Sequence, residues 1–312
     1  MGITLLLLAP IMMVILYFIL KAPESVPYDE FRASGGNQYV KLEDGWTNYE
    51  LSKEVAAAHT VVLIHGGTIP LGIWEAQMEP LRKAGFRILR YDQYGRGFSD
   101  RPASAVHSRE LFVRQLKNLL DALSITEPVT LVGPSFGGAI SVGFAARYPE
   151  RVRSLVLISP ALNILASDSP LAFPVKLLRI PFAGELAYAL FIRSKIISRG
   201  RSMVPGGRGS PCDETFVAQF RCIGTQRSLF SMFRSDAYGD YRELTREAGR
   251  QIDSILLMRG REDREITEKM ISETRADLPR ARYMEIEKSG HNPGTDAAER
   301  FNAMLIEFIA SQ

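Results

Sequence analysis

The chain's 312 residues suffice for one large domain or two small ones. A net charge of +3, with no basic stripe interleaved with aromatics, argues against a nucleic-acid partner. The two cysteines (Cys212 and Cys222) and four histidines show no metal-ligand spacing, and the glycine-rich turns lack the Lys-Ser/Thr of a phosphate loop, so neither metal nor cofactor is expected. Nothing in the sequence requires the cysteines to pair.

Residues 3–20 come first, a run free of charge in which Thr4 is the one clearly polar side chain. As a helix they would reach roughly 27 Å, about the thickness of a bilayer's hydrocarbon core. No basic segment precedes them and no small-residue cleavage site follows, which predicts an uncleaved N-terminal transmembrane helix over a cleaved leader. Residues 1–24 are then an anchor and its flank. Lys21 and Arg32 on the C-terminal side place the remainder on the cytoplasmic side.

Strand and helix patterns alternate from there. Tyr39–Leu42 and Thr47–Leu51 read as short antiparallel edge strands, and the apolar run Thr60–Ile64 as a buried parallel strand. An amphipathic helix is expected near Glu75–Lys83, a strand at Arg87–Tyr91, a helix from about Ser108 to Leu123, and strands at Val129–Val132 and Val152–Ile158. The rhythm breaks over residues 161–250 and resumes with a strand at 252–258, a strand ending at Ile286 and a helix at Ala297–Phe308. Repeated βα units predict a mostly parallel sheet with helices on both faces. The sequence thus divides into a first core part (25–160), a helical cap (161–250) and a second core part (251–312).

Between Leu171 and Ser210 the cap combines apolar residues such as Phe173, Leu177, Phe182 and Phe191 with seven Lys or Arg and one acid, Glu185. Two readings of this stretch stay open: a second contact with an anionic membrane surface, or a cap packed on the core with a solvated basic face. Proline breaks and the Gly-rich 204–211 segment predict a cap able to shift over a pocket.

Chemistry concentrates at Gly133-Pro134-Ser135-Phe136-Gly137, which lies between a strand and a small-residue helix. A G-x-S-x-G in that setting is a turn that exposes a serine for nucleophilic attack. A serine hydroxyl needs a base, and His291 is the one histidine downstream of Ser135. It stands in a loop after a strand, where an open α/β sheet gathers its site. The orienting acid is expected on the loop after the strand ending near Met258, where Asp263 is the best candidate; Glu262 beside it and Asp168 and Asp240 elsewhere are weaker ones. The oxyanion donors are expected to be the backbone N–H of Phe136 and that of Gly67, with Thr68 the near alternative. His65 reads as fixing its loop, and Gly95-Arg96-Gly97-Phe98-Ser99-Asp100 as a structural turn in which Arg96 and Asp100 hold the loop together.

In their order, His65-Gly66-Gly67, Tyr91 to Pro102, Gly133 to Gly138, Gly260 to Asp263 and Gly290-His291 resemble the motifs of an α/β-hydrolase of the esterase/lipase type, over about residues 39–312. The resemblance implies Ser135 as nucleophile, Asp263 as acid, His291 as base and an oxyanion hole of Gly67 and Phe136 amides. Pro134 departs from the family's commoner His, Asp or Thr. A serine nucleophile counts against the dehalogenase and epoxide hydrolase branches. The expected activity is hydrolysis of hydrophobic carboxylic esters. Monoacylglycerol or another lipid ester is the favoured substrate, on the anchor, the cap and a weaker similarity to membrane-anchored monoacylglycerol lipases. An acyltransferase, a lactonase or a C–C hydrolase would use the same triad. An inactive membrane-bound binding or scaffold protein is disfavoured by the intact Ser135, Asp263 and His291.

Overall fold

The computed structural model describes residues 10–18, 24–35, 38–52 and 59–312. Eight strands, β1 (Gln38–Lys41), β2 (Trp46–Leu51), β3 (Thr60–Ile64), β4 (Arg87–Tyr91), β5 (Val129–Pro134), β6 (Val152–Ile158), β7 (Ile255–Gly260) and β8 (Arg282–Ile286), form one sheet. Their spatial order is β1-β2-β4-β3-β5-β6-β7-β8. The edge pairings β1–β2 and β2–β4 are antiparallel and all the others are parallel. Every residue of β3 and of β7 is buried, the mark of strands covered on both faces.

Two groups of helices provide that cover. α1 (Glu75–Lys83) packs with the C-terminal α10 (Ala298–Ala310), while α2 (Arg109–Ala122), α3 (Phe136–Arg147) and α8 (Arg242–Gln251) pack on one another. α2 begins where the Ser108 hydroxyl accepts the Leu111 N–H, and its buried positions Leu111, Phe112, Gln115, Leu116, Leu119 and Leu120 recur at helical spacing. Between β6 and β8 the chain also supplies α4 (Ala172–Leu178), α5 (Arg193–Arg201), α6 (Pro211–Ala218), α7 (Thr225–Arg234) and α9 (Glu268–Asp277). The first four of these stand between β6 and α8, over the C-terminal end of the sheet.

The transmembrane helix expected over residues 3–20 is not supported. Residues 3–9 and 19–20 lie outside the described residues. Among the described residues no helix is long and apolar enough to cross a membrane. The membrane-anchored location and cytoplasmic orientation built on that span fall with it. The cap's basic residues also have internal uses: Arg179 donates to the Phe233 and Ser235 carbonyls, Arg201 pairs with Asp213, and Arg199 pairs with Glu265. Cys212 and Cys222 are both buried and free.

Candidate active site

Ser135 stands at the junction of β5 and α3 with φ 50° and ψ −119°, in the positive-φ region that a side chain normally avoids. The turn is tight because the elements beside it touch backbone to backbone. A Cβ at Gly133 would run into the Gly137 and Gly138 backbone, and one at Gly137 into the Ile64 and His65 carbonyls. Hydrogen bonds hold the strained residue. Its N–H donates to Ile158 O (2.9 Å), and its carbonyl accepts from Gly138 N (3.1 Å) and Ala161 N (3.0 Å). Pro134, which has no N–H to give, ends β5 and lines the cavity in front of Ser135.

Asp263 and His291, on the loops after the neighbouring strands β7 and β8, are brought together. His291 Nδ1 lies 2.9 Å from Asp263 Oδ2, and the Asp263 side chain is fully shielded from solvent. Burial by itself would raise the carboxyl's pKa; the hydrogen bond from His291, its charge and the Ile266 N–H more than offset this and hold it below the usual range. Asp263 Oδ1 also accepts the Glu265 and Ile266 N–H groups, which fixes the carboxylate plane. The competing acids are elsewhere: Glu262 is exposed, Asp168 accepts the Thr267 hydroxyl, and Asp240 pairs with Arg242.

Ser135, His291, Gly66, Gly67 and Thr68 line one cavity of about 160 Å³, whose other walls are mostly apolar: Ile69, Ile73, Val175, Leu178, Ile196 and Met203 among them. Ser135 and His291 share this space without a hydrogen bond between them, a looseness common in unliganded sites. The outer imidazole nitrogen, Nε2, instead lies 3.5 Å from Glu265 Oε2, an oxygen with no hydrogen-bond partner among the described residues. The other Glu265 oxygen pairs with Arg199 of α5. Neither Glu265 nor Arg199 was marked out by the sequence. Glu265 lies two residues beyond the expected acid, and Arg199 is one of several basic residues in a segment without clear periodicity.

The Gly67 and Phe136 backbones lie close together. A Cβ built on Gly67 would lie 4.0 Å from Phe136 Cβ, and one on Gly66 3.7 Å from Ser135 Cβ. His65 holds the strand side of this loop. Its Nε2 accepts the Gln93 N–H (3.0 Å), so the proton is on Nδ1, which donates to Gly66 O (2.7 Å). Burial lowers its pKa to about 3, keeping the ring neutral.

Arg96 departs from its expected role. The Asp100 carboxylate accepts the Trp46 N–H, and Arg96 reaches the other way, its Nε donating to Gly67 O at 2.6 Å. The guanidinium is buried (1% exposed) and Nη2 rests against Met232 Sδ; among the described residues Nη1 has no partner and no carboxylate pairs with Arg96. A cation without a carboxylate thus pins the Gly67 loop from behind.

Comparison with known proteins agrees with this architecture. A model of the alpha/beta hydrolase fold matches residues 59–191. The chain is 28% identical over 290 residues to a 2-hydroxy-6-oxononadienedioate/2-hydroxy-6-oxononatrienedioate hydrolase of Cupriavidus pinatubonensis, covering 89% of this chain and 96% of the relative. Among solved structures, a meta-cleavage product hydrolase from Pseudomonas fluorescens IP01 superposes with a TM-score of 0.67 at 24% identity, over 88% of this chain and 97% of that one. An enol-lactonase from Burkholderia xenovorans LB400 gives 0.66 at 22%, over 88% and 100%. The chain has the α/β-hydrolase fold.

Proposed function

On this α/β-hydrolase framework, we propose that the chain is a serine-nucleophile hydrolase that breaks the bond from a carbonyl carbon to its leaving group in a small, mostly apolar substrate. The observation that carries the reading is Ser135 on its strained turn, opening into the one cavity that also holds the His291–Asp263 pair. His291 Nε2 takes the hydroxyl proton as Ser135 Oγ adds to the carbonyl carbon. The resulting oxyanion is held by the Gly67 and Phe136 amides. Collapse breaks the bond to the leaving group, which takes the proton from His291. Water then repeats the sequence on the acyl-enzyme, while Asp263 holds the imidazole in the required tautomer throughout.

The relatives' names favour a 2-hydroxy-6-oxo-dienoate as substrate, in which hydrolysis at the 6-oxo carbon breaks a C–C bond. One observation favours a second reading, a neutral lactone or ester. Arg199, the basic residue among those lining the cavity, is already neutralised by Glu265 and is not free for a substrate carboxylate. Lipid esters have lost their support. A cavity near 160 Å³ resembles the ~150 Å³ that takes up one benzene, which is room for a short acyl or aryl group, and no spanning helix is found among the described residues.

The test is labelling with a fluorophosphonate probe in the wild type and in Ser135→Ala and His291→Ala, followed by turnover of three substrates: a 6-oxo-dienoate read by loss of its absorbance, an enol-lactone, and p-nitrophenyl esters of rising chain length. Labelling should depend on Ser135, and ester turnover should fall beyond roughly six acyl carbons, the size set by the cavity. Labelling that survives Ser135→Ala, or none in the wild type, refutes the reading.

A further inference from the structure

The stretch between α7 and α8 carries Tyr238 into the site. Its ring stacks on that of Phe136, with centroids 5.1 Å apart and planes within 4°, and Phe233 closes its other side at 5.3 Å. Phe136 is in turn held edge-on by Phe112 at 5.2 Å. The phenol therefore has little freedom to swing. Its hydroxyl lies against Gly67, on the side that neighbours Phe136: a Cβ on Gly67 would stand 2.6 Å from Tyr238 Oη and 4.0 Å from Phe136 Cβ.

Tyr238 is 9% exposed and lines the cavity, yet its hydroxyl makes no hydrogen bond among the described residues. A buried tyrosine hydroxyl ordinarily finds a partner, because an unpaired one forfeits the water it gave up. Here the open direction is the cavity itself, in front of Ser135. The phenol also stays a donor: burial raises its pKa, against the opposing pull of Arg96 and Arg199, so it is protonated at any working pH.

We propose that Tyr238 is a third hydrogen-bond donor to the substrate's carbonyl oxygen, joining the Gly67 and Phe136 amides as that oxygen becomes an oxyanion. It donates without losing its proton, so no bond to hydrogen is made or broken. The role rests on Ser135 being the nucleophile. Since Tyr238 belongs to the segment that covers the sheet's C-terminal end, the hole is complete only with that segment in place.

Tyr238→Phe keeps the stack and removes only the donor. With p-nitrophenyl acetate, kcat should fall by about 100-fold, the usual loss for one oxyanion donor, with KM unchanged. The Ki of an alkylboronic acid, whose tetrahedral adduct on serine mimics the intermediate, should rise by a similar factor, and phosphonylation by the fluorophosphonate should slow yet still go to completion. A variant with unaltered kcat and unaltered boronate Ki overturns the proposal and leaves the nucleophile reading standing. A wild type that takes no label at Ser135 overturns both. A drop in kcat with boronate Ki unchanged also counts against it, since mere loosening of the stack would do that.

Discussion

Gly67→Ala probes the oxyanion loop most directly. Gly67 is outside the left-handed backbone region, so alanine brings no conformational strain there. What it brings is a methyl group 2.6 Å from Tyr238 Oη. Ordinary contact begins near 3.4 Å, so the two must part by about 0.8 Å, that is 3.4 less 2.6. Tyr238 is held between Phe136 and Phe233 and cannot rotate away. Either the phenol slides or the Gly67 loop backs off from Phe136, and a misplacement near 1 Å costs on the order of 100-fold in rate, or about 2.7 kcal/mol. In a Tyr238→Phe background the conflict disappears. The nearest ring atom is then Cζ, 3.9 Å from the new methyl, an ordinary van der Waals separation. Gly67→Ala should therefore cost much less kcat/KM in that background, giving a coupling of about 2 kcal/mol in the double-mutant cycle. Steady-state kinetics on a chromogenic ester, with thermal melts to confirm that all four proteins fold, supply the comparison. Equal penalties in the two backgrounds would show that Tyr238 Oη does not occupy the space in front of Gly67, and would refute this geometry.

The Arg199–Glu265 pair yields a prediction of opposite sign for its two members. Freed from Arg199 by Arg199→Met, Glu265 can close the remaining 3.5 Å to His291 Nε2 and compete with the Ser135 hydroxyl. A charge-assisted hydrogen bond of about 1.5–3 kcal/mol implies a 10- to 100-fold loss in kcat/KM, and Glu265→Gln in the same protein should recover most of it; failure of this rescue would show that Arg199 acts in another way. For pH, His65 and His107 are both buried, with pKa values lowered by burial from 6.5 to about 3. Above pH 6.5 both are neutral, folded or unfolded, and the native state keeps its full stability. As pH falls from 6.5 towards 3 the unfolded chain gains protons that the folded one refuses, so stability is lost through that window, at about 1.4 kcal/mol per pH unit for each histidine. Urea unfolding between pH 6 and 4 should show His107→Gln with a shallower slope by about that amount; an unchanged slope would mean that His107 titrates in the folded state.

Much of the framework was readable before any coordinates because its signals are local. The apolar runs of β3, β4 and β6 and the helix at Glu75–Lys83 have the expected bounds, and the glycines around Ser135 announce a turn whose tightness the Ile64 and His65 carbonyls explain. Asp263 and Glu262 share the loop after β7, so place alone does not tell them apart; the structure separates them by burial, one facing His291 and the other facing solvent. The N-terminal run misled: its freedom from charge suggests a spanning helix, yet among the described residues no helix is long and apolar enough to cross a membrane. Arg96 misled for another reason. Arg96 and Asp100 are expected to hold their own loop together, but each side chain reaches another part of the chain, Arg96 the Gly67 carbonyl and Asp100 the Trp46 N–H. Tyr238, Arg199 and Glu265 gave no signal at all, since each gains its meaning from a partner brought near only by folding: Gly67, Glu265 and His291 respectively.

Arg96 ties these observations into one electrostatic argument. Burying a guanidinium without a carboxylate costs several kcal/mol, and burial does lower its pKa, to about 10, while leaving it charged. A loop that needed only mechanical support would be served by a neutral donor to Gly67 O. The cation does more. It directs positive potential at the Gly67 carbonyl and at Tyr238, and so at two of the three groups proposed to hold the carbonyl oxygen. The two carboxylates beside the triad histidine, Asp263 and Glu265, both face His291. In a cavity with apolar walls such a field is weakly screened. The ground-state carbonyl feels it as a dipole and the oxyanion as a full charge, so the stabilisation grows along the reaction. On the proposed mechanism, the cost of burying Arg96 falls on folding stability, and what it contributes in return is a lower barrier to the tetrahedral intermediate on Ser135.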